Sequence, residues 1–276
     1  MFILPGEAYE KLKQANVQFV DCRFDLSNPD AGREAYFHAH IPGAVYFDLE
    51  NDLSGPVQDG GEGGRHPLPD WNEFTEKLGE QGIDRDTTLI LYDSNHAFAS
   101  RMYWMLKLIG HKDMYILEGG FEAWKDHGSP TESGPVKKNR VDYGEIQLNS
   151  SMMVNQEVVK EKLNDPNVVL VDSRAAKRYS GEFEPIDRKA GHIPGAVNYE
   201  WDQLFTDGKF KNTDELKKHY EDIDPEKEVI VYCGSGVTAT PNVLALQQAG
   251  YSNVKLYPGS FSDWVSNDSN PVDKGK

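Results

Sequence analysis

The chain has 276 residues, room for two domains of ordinary size, and no apolar run approaches the length of a membrane span. A formal charge of −16 argues against nucleic acid and anionic membrane surfaces as partners. Two cysteines, Cys22 and Cys233, are too few for a disulfide framework, and the N-terminus has no secretory pattern, so a reducing, cytoplasmic setting is expected.

In chain order, Val17–Val20 reads as a buried strand leading into Asp21-Cys22-Arg23. Ala39-His40-Ile41-Pro42-Gly43-Ala44-Val45 follows, then Phe47-Asp48-Leu49-Glu50 and a Gly-rich loop, Ser54–Gly64, before Arg65-His66-Pro67. Asp70 with Glu73 predicts a capping box for a helix through Leu78. Thr87–Tyr92 is a strand ending at Asp93, Ser100–Ile109 a helix, and Met114–Leu117 a strand before Gly119-Gly120-Phe121-Glu122-Ala123-Trp124. Ser129–Asn149 is polar and loses periodicity.

The order then repeats. Val168–Val171 leads into Asp172-Ser173-Arg174, and Gly191-His192-Ile193-Pro194-Gly195-Ala196-Val197 matches residues 39–45. Val229–Tyr232 matches Leu89–Tyr92, and Gly259–Trp264 matches residues 119–124, at a constant offset of 140. This is an internal duplication, read as an α/β protein of two tandem domains, each a mainly parallel sheet flanked by helices. The expected boundaries are 1–130, a linker at 131–149, and 150–276. Arg174, beside a strand-end aspartate present in both copies, is expected in a structural ion pair. His40, His192, Trp124 and Trp264, also present in both copies, are expected to serve the fold, and Cys22 to be a non-catalytic thiol.

The copies differ at one chemical position: Cys233 falls where the first has Asp93. Cys233 closes an apolar strand and opens the loop Gly234-Ser235-Gly236-Val237-Thr238-Ala239 before a helical run ending near Gly250. Open α/β sheets bind ligands at such strand ends. Helix N-terminal amides and a two-glycine turn form an anion nest that favours the nucleophilic form of a thiol. The first copy lacks the thiol, so it is expected to act as scaffold and to contribute polar groups.

The paired HIPGA segments, the strand-end Cys233-Gly234-Ser235-Gly236-Val237-Thr238-Ala239 and the cysteine-free first copy resemble the two-domain rhodanese-like sulfurtransferases. The loop resembles the 3-mercaptopyruvate branch, since thiosulfate-preferring members carry basic residues where this chain has Gly234 and Ser235. The resemblance implies a sulfur relay without metal or organic cofactor. Cys233 takes sulfur from a small anionic donor as a persulfide, and passes it to a thiol such as thioredoxin, or to cyanide, in a monomeric enzyme. The amides from Gly234 to Thr238, Gly236 and Val237 included, would hold the outer sulfur, and Thr238 would either bond the cysteine sulfur or begin the helix. Arg178 is implied to reach the donor carboxylate. A second arginine is usual before GHIPG; here Ile186 or Asp187 falls at that place, leaving Arg188, slightly displaced, to fill the role. Ser235 is implied to work with His66 and an acid, Glu50, with Asp48 nearby. The alternatives are a thiosulfate:cyanide sulfurtransferase and a non-enzymatic redox-sensing or binding module. A Cys-x5-Arg phosphatase is disfavoured because Ala239 stands where its arginine belongs.

Overall fold

The structure, a computed structural model, describes residues 1–275. The chain forms two compact units, one built from 1–55 and 69–149, the other from 56–68 and the chain from Ser150 onward. Each holds a parallel sheet whose strands alternate with helices, as the duplication implied.

The first unit runs β1 (Phe2–Ile3), α1 (Pro5–Lys11), β2 (Val17–Asp21), α2 (Ala31–His38), β3 (Val45–Tyr46), α3 (Trp71–Glu80), β4 (Thr88–Tyr92), α4 (Ala97–Leu108), β5 (Met114–Leu117) and α5 (Gly120–Asp126). Its strand order is β1-β5-β4-β2-β3. Asp70 caps α3 by accepting from the N–H groups of Asn72 and Glu73, but the Glu73 side chain stays exposed, and no reciprocal half of the expected capping box forms among the described residues.

The second unit continues with α6 (Gln156–Glu161), β6 (Val168–Asp172), α7 (Ala176–Tyr179), β7 (Val197–Asn198), a hairpin of β8 (Phe205–Thr206) and β9 (Lys209–Phe210), α8 (Thr213–His219), β10 (Glu228–Tyr232), α9 (Thr240–Ala249), β11 (Val254–Leu256) and α10 (Ser260–Trp264). Its main sheet is ordered β11-β10-β6-β7. In both units the strand that precedes the functional loop is central. Tyr232 pairs with Asp172 as Tyr92 pairs with Asp21.

The cores repeat too. Trp124 is buried with Phe19, Tyr92 and Phe121, and Trp264 with Leu170, Tyr232 and Phe261. Each indole N–H finds a carbonyl 2.8 Å away, on Pro130 and Pro271. His40 and His192 lie buried, each with Nδ1 2.8 Å from a carbonyl, of Tyr36 and Tyr179. Arg174 is held by Asp172 and stacks 3.8 Å from the Phe261 ring; Arg23 does the same with Asp21 and Phe121.

Two stretches outside the repeated pattern are placed as follows. The Gly-rich segment 56–68, assigned by sequence to the first domain, belongs to the second unit. It has no helix or strand and is tied by its backbone: Gly63 N–H donates to Asp263 Oδ1 at 2.8 Å and Arg65 N–H to Ser262 Oγ at 3.2 Å. The stretch 131–149, expected as a linker, packs along the first unit. His40 N–H donates to Glu132 O, Val141 N–H to Gly79 O, and His111 Nδ1 lies 2.9 Å from the Tyr143 hydroxyl. Its polarity reflects hydrogen bonding along a surface rather than freedom from it.

Candidate active site

Cys233 sits at the C-terminal end of β10, in a loop that ends where α9 begins at Thr240. The turn that starts α10 fixes the loop. Cys233 N–H donates to Ser260 Oγ at 3.1 Å, and Phe261 and Ser262 donate to the carbonyls of Cys233 and Gly234 at 3.0 and 2.9 Å. Gly236 has φ +75°, and a Cβ there would lie 2.1 Å from the Pro258 carbonyl oxygen. The loop is therefore tight, and Cys233 is only 1% exposed.

What such a loop holds is seen in the first copy. The Asp93 carboxylate accepts four backbone N–H groups, from Asn95 and His96 on Oδ1 and from Phe98 and Ala99 on Oδ2, at 2.5–3.1 Å. His96 has φ +69°, matching Gly236, and Phe121 N–H donates to Asp93 O as Phe261 donates to Cys233 O. The two loops thus share their turn and their anchor. The counterparts of the four donors are Ser235, Gly236, Thr238 and Ala239. Gly234 and Val237, expected in the same cradle, correspond to Ser94 and Ala97, which give Asp93 no hydrogen bond among the described residues. The nest is an anion site that the first copy fills with its own carboxylate.

Thr238 fulfils neither expectation. Ala239 caps α9, and among the described residues no hydrogen bond reaches the Cys233 sulfur. Thr240 instead closes the helix start, its hydroxyl donating to Val237 O at 2.8 Å.

Ser235 and His66 are brought together, Ser235 Oγ lying 2.8 Å from His66 Nδ1, both buried. Glu50 is not brought to them within the second unit: it belongs to the first, is exposed, and its N–H donates to Asp48 Oδ1.

Arg178 Nη1 and Nη2 would lie 3.4 and 3.5 Å from a Cβ built on Gly234. The guanidinium is also engaged by protein carboxylates, Nε and Nη2 donating to Glu184 and Nη2 to Asp187 at 2.8 Å. Burial works against the charged Glu184, but hydrogen bonds from Arg178 and from the Asp187 and Ile186 N–H groups outweigh it and hold the carboxyl below its ordinary value. Burial pushes the Asp187 carboxyl above the usual aspartate value, despite the opposing charges of Arg65 and Arg178.

Arg188 is not among the side chains nearest Gly234. Its Nε donates to the Val265 carbonyl, and its Nη2 to the Ser266 carbonyl and Asp268 Oδ1. A residue that sequence reasoning missed stands near Gly234 instead. Arg65 Nη1 donates to Asp187, and Nη2 would lie 2.8 Å from a Cβ on Gly234. Its neighbour His66 was the available signal.

The fold and this site define a class. The family described as Rhodanese-like domain matches residues 4–127 and 155–267, and the chain belongs to that family. It is 40% identical over 271 residues to the probable 3-mercaptopyruvate sulfurtransferase of Pseudomonas aeruginosa, covering 96% of this chain and 95% of that one. It is 36% identical to the putative thiosulfate sulfurtransferase SseB of Mycobacterium tuberculosis, covering 94% and 91%. The crystal structure of SseA from Escherichia coli, described as a 3-mercaptopyruvate sulfotransferase, superposes with a TM-score of 0.83 at 32% identity, over 94% of this chain and 98% of that one. Among the described residues no helix is long and apolar enough to cross a membrane.

Proposed function

We propose that the chain is a sulfurtransferase that takes the sulfur of 3-mercaptopyruvate onto Cys233 and passes it to a thiol acceptor, such as thioredoxin, or to cyanide. The observation that carries this reading is the cradle that Asp93 fills in one copy and at whose equivalent position the other copy has Cys233. A persulfide terminal sulfur is an anion, and four converging amides suit it as they suit a carboxylate.

The Cys233 thiolate attacks the donor sulfur. The sulfur–carbon bond breaks, and its electron pair passes to C3 of the departing pyruvate enolate. The donor's thiol proton ends on C3, giving pyruvate, and the new persulfide is left in the amide cradle. Ser235, bonded to His66, stands beside Cys233 as the group to hold the donor carbonyl or hand on this proton. Glu50 is proposed, from the family resemblance, as the acid that acts with them. The acceptor thiolate then attacks the outer sulfur and regenerates the Cys233 thiolate.

Thiosulfate is the second reading, because a relative of similar identity is named for it. The two arginines nearest Gly234 are already paired with Asp187 and Glu184, which suits a monoanionic carboxylate better than a dianion. We place the protein in the cytoplasm as a monomer; its two buried free thiols suit a reducing compartment. Intact mass of reduced protein after incubation with each donor tests the reading. A gain of one sulfur from 3-mercaptopyruvate, absent in Cys233→Ser, supports it. A gain from thiosulfate alone overturns the donor, and no gain from either favours a sensor or binding role.

A further inference from the structure

We propose that Arg65 is the second arginine of the donor site, and that Asp187 positions both Arg65 and Arg178 over Gly234. The inference rests on the donor reading above.

Two guanidiniums repel unless an anion lies between them, and here Asp187 lies between them. Arg65 gives Nη1 to Asp187 and Arg178 gives it Nη2. Each arginine then has another amino group near the loop: Arg65 Nη2 at 2.8 Å and Arg178 Nη1 at 3.4 Å from the place a Gly234 side chain would take. Neither of these two nitrogens has a protein acceptor among the described residues. Both arginines, Asp187 and Gly234 lie in one compact unit. A planar guanidinium presents its donors as a fork, so fixing one prong on Asp187 aims the other.

The Asp187 carboxylate is 2% exposed while Arg65 remains 33% exposed, so the clamp is anchored on its inner side and open on its outer side. Glu184, also 2% exposed, fixes Arg178 from the other edge and is itself fixed by Arg174. The ligand this suits is a carboxylate that meets one amino group from each arginine, with its sulfur directed at the neighbouring Cys233. Gly234 leaves the room it needs. Arg188 is spoken for by Val265, Ser266 and Asp268 and has no part in the clamp.

The test compares two donors, 3-mercaptopyruvate and mercaptoacetone, which has the same thiol and ketone but no carboxylate. The readout is the ratio of kcat/KM between them, which partial loss of folded protein cannot change. Arg65→Gln is expected to cut the preference for 3-mercaptopyruvate about 10- to 100-fold, mainly through KM, the size of a lost charge-assisted contact. Arg65→Lys keeps the charge but not the fork and is expected to fall between, and Asp187→Asn to cut the preference less than Arg65→Gln. Arg188→Gln is expected to hold the ratio within about twofold, as a rim charge outside the clamp would. Equal losses with both donors in Arg65→Gln would overturn the proposal, since Arg65 would then only support its loop. So would a ratio that collapses in Arg188→Gln and holds in Arg65→Gln. Wild-type protein that gains no sulfur from 3-mercaptopyruvate would instead remove the donor reading, a result separable by mass before any variant is made.

Discussion

Alanine at Gly234 and alanine at Gly236 differ by one methyl group placed two residues apart, and the structure predicts opposite consequences. At Gly236 the new Cβ meets the Pro258 carbonyl oxygen at 2.1 Å and its carbonyl carbon at 2.9 Å. Both are backbone, so the loop and the segment leading into α10 must separate by about an ångström, breaking contacts in a close-packed interior. The positive φ adds about 1 kcal/mol, although His96 shows that a side chain can take this φ in the equivalent turn. The carbonyl is the larger obstacle, and the total is about 3 kcal/mol or more. At Gly234 the backbone is ordinary and the nearest atoms are the ends of flexible side chains, Arg65 Nη2 at 2.8 Å and Arg178 Nη1 at 3.4 Å. They can retreat, so the stability cost is under about 1 kcal/mol. Retreat pulls Arg65 off its aim, and the KM for 3-mercaptopyruvate should rise roughly tenfold, about 1.4 kcal/mol of binding. Urea unfolding of both variants, with donor kinetics on Gly234→Ala, is the assay. If Gly234→Ala unfolds as early as Gly236→Ala, or folds and keeps the wild-type KM, the geometry assigned to this loop is wrong.

Asp93→Ala strips one carboxylate from four buried N–H groups and should destabilise the first unit by about 3–5 kcal/mol; hydrogen exchange at Asn95–Ala99 would report it, and unchanged protection would refute it. Cys22→Ala should leave sulfur loading intact, because burial, with the charges of Asp93, Asp21 and Asp52, pushes that thiol well above its ordinary value; a mass gain lost in this variant and kept in Cys233→Ser would reverse the assignment. Glu184 has a lowered native pKa, so its contribution to stability is present above about 4.5 and lost as pH falls from there through the lower native value. Glu184→Gln should flatten that acid limb of the urea midpoint, and an unaltered limb would count against the ion-pair chain.

The duplication made the fold legible, because two copies of one pattern distinguish what the sheet requires from what chemistry requires. The buried tryptophans and HIPGA histidines stayed with the fold, and Cys233 stood out because its counterpart is an aspartate. Ser235 and His66 were also legible, though 169 residues apart. The second arginine was not. Arg188 lies near the expected place in sequence, but the carbonyls of Val265 and Ser266 capture it. Arg65, 122 residues from Asp187, arrives through a segment with no periodicity to betray where it packs. Long-range ion pairing leaves no local trace in a sequence, so a cation absent from the loop itself was supplied from elsewhere.

Asp93 also bears on the direction in which sulfur flows. Where the nest holds the Asp93 side chain, four inward amides have their acceptor. On the relay proposed above, the second nest gains an equivalent occupant when Cys233 carries its extra sulfur. In a solution rich in donor, the loaded protein would then be the ground state and the emptied one the excursion. On that reading the protein stores one sulfur atom by default, and the acceptor's nucleophilicity, rather than the donor's supply, would set the pace of release.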